Sequence, residues 1–250
     1  MMQRWQNGEA GVGLWIAVPD SSVAESLGTL DPAYLVVDLQ HGLIDYADVR
    51  HLFQATQRSA ATPLVRVPWN EPGIIGKVLD AGAMGVIIPM VNTAAEAAQA
   101  ARSCFYQPKG ARSHGPIRAS VALGEGYAVE ANDQVACIPM IETIEAIENI
   151  DEILAVPGVN AIYVGPADLS RTLGLPPLGD HDDPLFIDAL DTILAACKRA
   201  GIPAGIHANP SLVNKRLEQG FQMVTATSDL LALMAGAKAA LAGEGADTLY

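Results

Sequence analysis

Short runs of consecutive apolar residues recur along the chain, separated by stretches whose apolar residues fall three and four apart. The runs are Gly13–Val18, Tyr34–Asp38, Pro63–Val67, Gly85–Pro89, Val135–Ile141, Ala161–Val164, Pro203–Ile206 and Met223–Ala226. Most are continuous rather than alternating, which predicts parallel strands covered on both faces. Between them, Thr93-Ala94-Ala95-Glu96 is a capping-box pattern that opens a helix over Ala94–Ser103. Ala146, Ile147, Ile150, Ile153 and Leu154 predict a helix that stops before Pro157-Gly158, and Pro184–Ala200 and Leu212–Gln219 predict two more, the second ended by Gly220. Eight strands with intervening helices and no break in composition predict the α/β class: one (β/α)₈ TIM barrel, a single domain over residues 1–250. An open doubly wound sheet is the alternative, weakened because no Gly-rich dinucleotide loop follows the first strand.

Two segments depart from the repeat. Phe105–Asp133 has no strand period and is far longer than the usual ~2–6-residue connection. Its aromatic and apolar residues predict an ordered flap. Asp229–Leu241 carries Leu230, Leu231, Leu233, Met234 and Leu241 and is more apolar than a helix with one solvated face needs. It is expected to pack against another subunit.

Composition narrows the function. The net charge is −13, with 15 Lys and Arg and no basic stretch, so a nucleic-acid partner is not expected. Cys104, Cys137 and Cys197 form no CxxC or Cys/His cluster, which argues against a disulfide framework or a zinc site. No apolar run reaches the ~18 residues of a spanning helix, and Met1–Gly11 has no signal core, so a soluble cytoplasmic protein is expected, with no membrane partner.

In a (β/α)₈ barrel the chemistry sits at the C-terminal ends of the strands, and there the polar residues collect. Glu142 ends the fifth run and Asp168 follows the sixth. If those strands are neighbours, the two carboxylates enter one cleft. Two carboxylates without a third protein ligand suit a hard divalent cation that keeps positions for water and substrate. The plainer reading is that both cap helices. His41, three residues after Asp38, is the expected base, with Asp38 holding its tautomer; the plainer reading is a histidine bonded within a turn. Arg66 lies inside an apolar strand and must pair with a carboxylate or face a polar site, where it would hold an oxyanion. His207, at the end of the seventh strand, is a candidate lining residue. The lysines, Lys77, Lys109, Lys198, Lys215 and Lys238, all fall in expected helices or loops, so an imine-forming mechanism is not expected. The segments after the seventh and eighth strands, Ala208–Ser211 and Thr227–Asp229, lack the glycines of a phosphate cradle. A metal-dependent enzyme acting on a non-phosphorylated substrate is expected.

Seven motifs in order strengthen that reading: Asp38-Leu39-Gln40-His41-Gly42, Leu64-Val65-Arg66-Val67-Pro68, Leu79-Asp80-Ala81-Gly82-Ala83, Pro89-Met90-Val91, Pro108-Lys109-Gly110-Ala111-Arg112, Ile141-Glu142-Thr143 and Gly165-Pro166-Ala167-Asp168-Leu169-Ser170. Over nearly the whole chain, from about Gly13 to Asp229, the sequence resembles the metal-dependent, pyruvate-specific class II aldolases typified by hydroxy-oxo-heptanedioate aldolase and 2-keto-3-deoxy sugar-acid aldolases, in the citrate lyase beta-like superfamily. The resemblance implies that Glu142 and Asp168 ligate Mg²⁺ or Mn²⁺, with Co²⁺ a further candidate. It implies that pyruvate chelates the ion, that the backbone around Ala167-Asp168 holds its carboxylate, that Arg66 stabilises the enolate oxygen, and that His41, oriented by Asp38, moves the proton. It also implies a homo-oligomer, a hexamer in the family, with Asp80 serving a neighbouring subunit. There are two departures: Gln40 stands where many members carry Glu, and Met140, on the face of Glu142, where many carry Gln. Methionine cannot supply an amide's hydrogen bonds.

The expected activity is reversible aldol cleavage of a 4-hydroxy-2-oxo acid to pyruvate and an aldehyde. The aldehyde end of the substrate is expected to meet Phe105–Asp133 and neighbouring chains. A CoA-ester lyase of the malyl- or citryl-CoA kind remains an alternative, disfavoured by the few lysines available for CoA phosphates. A non-catalytic barrel that binds a 2-oxo acid is the third reading, kept open by Gln40 and Met140.

Overall fold

The computed structural model describes residues 1–244. Eight strands form it: β1 (Gly11–Ile16), β2 (Tyr34–Asp38), β3 (Thr62–Arg66), β4 (Gly85–Ile88), β5 (Ala136–Ile141), β6 (Ile162–Val164), β7 (Ala204–His207) and β8 (Met223–Ser228). They pair in parallel, each with its sequence neighbour, and β8 closes on β1. This is the expected (β/α)₈ barrel, with helices between the strands.

The apolar runs become strands because both faces are buried. Leu35 and Val37 of β2 face the surrounding helices, whereas Tyr34 and Val36 join Leu64, Ile87, Ala136, Ile138, Met140, Ala161, Tyr163 and Met223 inside the barrel. The period of two then sets which residues reach the mouth. Asp38 continues Tyr34 and Val36, Arg66 continues Leu64, Glu142 continues Ile138 and Met140, and Gly165 continues Ala161 and Tyr163. Each inner row therefore ends in a polar or small residue. At the opposite end, Trp5 of the helix Met2–Gln6 packs into the barrel interior.

Two expectations need adjustment, and a third is met in its bounds. The helix expected across Ala146–Leu154 is two short helices, Ile144–Glu148 and Ile150–Leu154, broken at Asn149, whose side-chain amide donates to the Asn92 carbonyl. Phe105–Asp133 is ordered but not irregular throughout, because it contains the helices Ile117–Leu123 and Tyr127–Gln134. The helix Asp229–Leu241 forms with the expected bounds and stands almost wholly exposed, Leu231 at 60%, Leu233 at 67% and Leu241 at 91%.

Candidate active site

A cavity of about 350 Å³ opens at the C-terminal mouth of the barrel. Asp38, His41, Arg66, Met140, Glu142, Ala167, Asp168 and His207 all line it, so the strand-end residues singled out in the sequence do meet in one place. A larger groove of about 920 Å³ lies between the helices Pro72–Asp80 and Ala94–Cys104. Its carboxylate, Asp80, is already paired with the buried Arg112 at 2.6 Å, and no second carboxylate joins it there. Asp80 does not reach the barrel-mouth cavity of its own chain.

The expected Asp38–His41 dyad is not formed. β2 and β3 are in register at Asp38 and Arg66, so the two side chains emerge side by side. Arg66 donates from Nε to Asp38 Oδ1 at 2.8 Å and from Nη2 to Oδ2 at 2.6 Å. A planar guanidinium fork matches a carboxylate edge better than an imidazole does, and the register delivers it. Asp38 still shapes residue 41 through the backbone: Oδ1 accepts the N–H groups of Gln40 and His41, at 3.1 and 3.4 Å. The His41 ring is exposed at the cavity. Arg66 also lies over the Trp15 ring, 4.4 Å from its centroid, and its Nη1 donors have no hydrogen-bond partner among the described residues.

Glu142 is buried, and its Oε1 accepts the Met90 N–H at 2.8 Å. Met90 holds a left-handed backbone, φ 54°, a conformation costly for a side chain of its size. Burial pushes the Glu142 carboxyl up to about 7. The Met90 N–H opposes the rise, the charge of Asp168 adds to it, and Arg66 opposes it. No cation forms a salt bridge with Glu142 among the described residues. Gly165 makes room for this carboxylate: a Cβ there would overlap Glu142 Oε2 and come within 2.9 Å of Met140 Cε.

These residues fit a hard cation. A buried carboxylate with no cationic partner, beside a second carboxylate exposed to the same cavity, is relieved by a divalent charge. No cluster of three or more His, Cys, Asp and Glu side chains suited to a metal occurs among the described residues. An ion here would take two protein oxygens and draw its remaining ligands from water or substrate.

Across the cavity, His207 meets the Trp15 ring edge-on, with centroids 4.9 Å apart. Burial holds its imidazole down at about 4; Arg66 works the same way and Asp38 against it, so the ring is neutral near pH 7. Trp15, Tyr163 and Gly179 line the cavity without standing out in the sequence, since each lies in an apolar run or a Gly/Pro-containing loop. No residue of Phe105–Asp133 lines it, contrary to expectation; the wall comes from residues 173–183 instead, through Gly179.

Residues 11–235 match the family described as HpcH/HpaI aldolase/citrate lyase. The chain belongs to this family. A hydroxypyruvate/pyruvate aldolase of Rhizorhabdus wittichii is 40% identical over 239 residues, 95% of each chain. A 2-dehydro-3,6-dideoxy-6-sulfogluconate aldolase of Pseudomonas putida is 37% identical, over 91% of this chain and 90% of that one. Among solved structures, an HpcH/HpaI aldolase/citrate lyase family protein from Burkholderia cenocepacia superposes with a TM-score of 0.90 at 32% identity, covering 97% of each chain. The resemblance read from the seven motifs and the expected enzyme class, an aldolase-type lyase, are both met. No helix among the described residues is long and apolar enough to cross a membrane.

Proposed function

We propose that this aldolase cleaves a 4-hydroxy-2-oxo acid to pyruvate and an aldehyde, and runs in reverse as an aldol addition, with a divalent cation held by Glu142 and Asp168. The observation that carries the reading is the convergence of these two carboxylates with Arg66 on one barrel-mouth cavity. Mg²⁺ or Mn²⁺, with Co²⁺ a further candidate, would supply Lewis-acid polarisation of the 2-oxo group.

The protein's own residues divide the remaining work. Arg66, fixed by Asp38 and Trp15, directs its free Nη1 donors at the oxygen where negative charge develops. The helix Pro166–Thr172 begins beside the cavity, and its first-turn N–H groups at Ala167 and Asp168 have no carbonyl partner within the helix. They hold the substrate carboxylate. His41, exposed at the rim, moves the proton. Met140 supplies an apolar contact beside Glu142 where an amide would hydrogen-bond, and so biases which substrates fit. The aldolase names of the relatives support cleavage over CoA-ester chemistry.

The protein acts as a homo-oligomer, a reading supported by the exposed apolar helix Asp229–Leu241, and Asp80 reaches a neighbouring subunit's site. A cytoplasmic location fits this chemistry. Pyruvate release from a panel of 4-hydroxy-2-oxo acids, with and without EDTA, tests the reading. Metal-dependent release from at least one member is expected. Cleavage of malyl- or citryl-CoA to acetyl-CoA and a 2-oxo acid with no pyruvate released from any member of the panel, or no release from any compound with metal present, contradicts it.

A further inference from the structure

The loop of residues 173–183 joins the helix Pro166–Thr172, which carries Asp168, to the helix Pro184–Ala200. It brings Gly179 to the wall of the barrel-mouth cavity. Two independent tethers hold it there. On one side the His181 ring lies 3.1 Å from Ser170 Oγ and 2.9 Å from the Pro176 carbonyl, and Ser170 Oγ, whose hydroxyl donates to the Pro166 carbonyl at 2.6 Å, stands 3.1 Å from the Leu178 carbonyl. On the other, Arg216 reaches across from the helix Val213–Gln219, which comes after β7. Its side chain is fully buried, and Nη2 donates to the Gly179 carbonyl at 3.2 Å and to Asp180 Oδ1 at 2.7 Å. Lys215 takes the second Asp180 oxygen at 2.6 Å.

A guanidinium with no solvent exposure is costly unless it is paired, and here it is paired on the loop. The consequence is a rigid stretch of wall. At its centre is a residue without a side chain, although nothing in the backbone requires glycine: the φ of Gly179 lies outside the left-handed range, and no atom stands within 4 Å of where a Cβ would be. A side chain would fit without strain. Its absence therefore relieves no local crowding, and Gly179 borders the cavity with open space where a side chain would begin.

We propose that Gly179 is a specificity-determining residue for the aldehyde half of the substrate, and that Arg216 is a positioning residue that fixes its place through Asp180. The inference rests on the aldolase reading of the site. The pyruvate half is assigned to Glu142, Asp168, Arg66 and the Ala167-Asp168 backbone, which leaves the distal half to the remaining walls. With Gly179 bare and the loop pinned, this stretch of wall leaves space for the aldehyde chain. With a side chain at 179, or with the pin removed, length discrimination changes.

The test compares the unaltered protein with Gly179→Ala, Gly179→Leu and Arg216→Met. Each is assayed for addition of pyruvate to aldehydes of two, three and four carbons, and for exchange of pyruvate methyl protons in D₂O, which needs no aldehyde. The ratio of addition rates for two aldehydes within one protein cancels losses at the metal end, and the exchange rate shows separately whether that end is intact. In Gly179→Leu the ratio of four-carbon to two-carbon aldehyde should fall by about tenfold or more, a typical range for steric discrimination in a pocket. Gly179→Ala should shift it less, in the same direction. Arg216→Met should raise KM for the longer aldehydes more than it changes kcat. An unchanged ratio in Gly179→Leu and Gly179→Ala, both folded by circular dichroism, overturns the proposal. Failure of the unaltered protein to exchange pyruvate protons is a different result: it overturns the aldolase reading, and this inference with it.

Discussion

At the scale of single residues, the pairing of Asp38 with Arg66 changes what each mutation should do. Were Asp38 the orienter of His41, Asp38→Asn would behave like His41→Ala. Because its carboxylate instead holds the Arg66 fork through two bonds, Asp38→Asn should resemble Arg66→Ala, with a loss on the order of 10²–10³ in kcat/KM for aldol cleavage. His41→Ala should leave pyruvate affinity near the unaltered value, while Arg66→Lys should rescue poorly, since an ammonium cannot make the bidentate contact. Steady-state kinetics on the four variants decides: an Asp38→Asn profile that tracks His41→Ala restores the dyad. The carboxyl of Glu142 gives a pH signature. Its folded value, about 7, lies above the ordinary 4.5. Between those values the folded metal-free protein keeps a proton that the unfolded chain has lost, so this group's stabilisation is full at low pH and fades as pH rises through about 7. Metal binding runs the other way, because the ion displaces that proton. Mn²⁺ affinity by calorimetry should climb up to about pH 7 and level off above it; a flat profile across that range contradicts the assignment.

At the scale of elements, the positions of Glu142 and Asp168 result from alternation along β5 and from the Gly-Pro start of the helix after β6, and both were legible in the sequence. Apolar runs located all eight strands, because parallel strands buried on both faces leave a continuous signal. The Asp38–Arg66 pair was not legible, because it depends on the register between two strands, which no single run encodes. Met90 escaped for a related reason: its contribution is a backbone N–H, and its side chain gives no hint of it. The flap at Phe105–Asp133 misled because length and aromatic content mark order without saying which cavity a segment faces. Gly165 exposes the packing behind the carboxylate. Its φ of −94° and ψ of 91° suit alanine, so the cost of Gly165→Ala falls on Glu142, which must move. The variant should fold normally and lose about 10–100-fold in metal affinity, as outer supports of metal ligands do. Metal-dependent shifts in Tm measure it, and an affinity within twofold of the unaltered protein would show that Glu142 has other room.

At the scale of the whole molecule, the closed barrel accounts for its own core but leaves the helix Asp229–Leu241 outside it. Leu230, Leu231, Leu233, Met234 and Leu241 are all exposed, and burying each such side chain fully is worth about 1.5–3 kcal/mol. A second copy of the chain is the economical cover. Light scattering at micromolar concentration should give a mass well above the 26.2 kDa of one chain, and Leu231→Glu with Leu233→Glu should lower it. A monomer before mutation, or an unchanged mass after it, removes the helix from the interface. The carboxylates and the guanidinium at the barrel mouth, Glu142, Asp168 and Arg66, all come from one chain.

That metal end is the centre of the account, and exchange of pyruvate methyl protons in D₂O addresses it without any aldehyde. The unaltered protein should exchange them when Mg²⁺ or Mn²⁺ is supplied and stop in excess EDTA. Glu142→Gln and Asp168→Asn should each lose the exchange while their circular dichroism stays unchanged. Exchange at the unaltered rate in EDTA, or in either variant, would contradict the assignment of these two carboxylates.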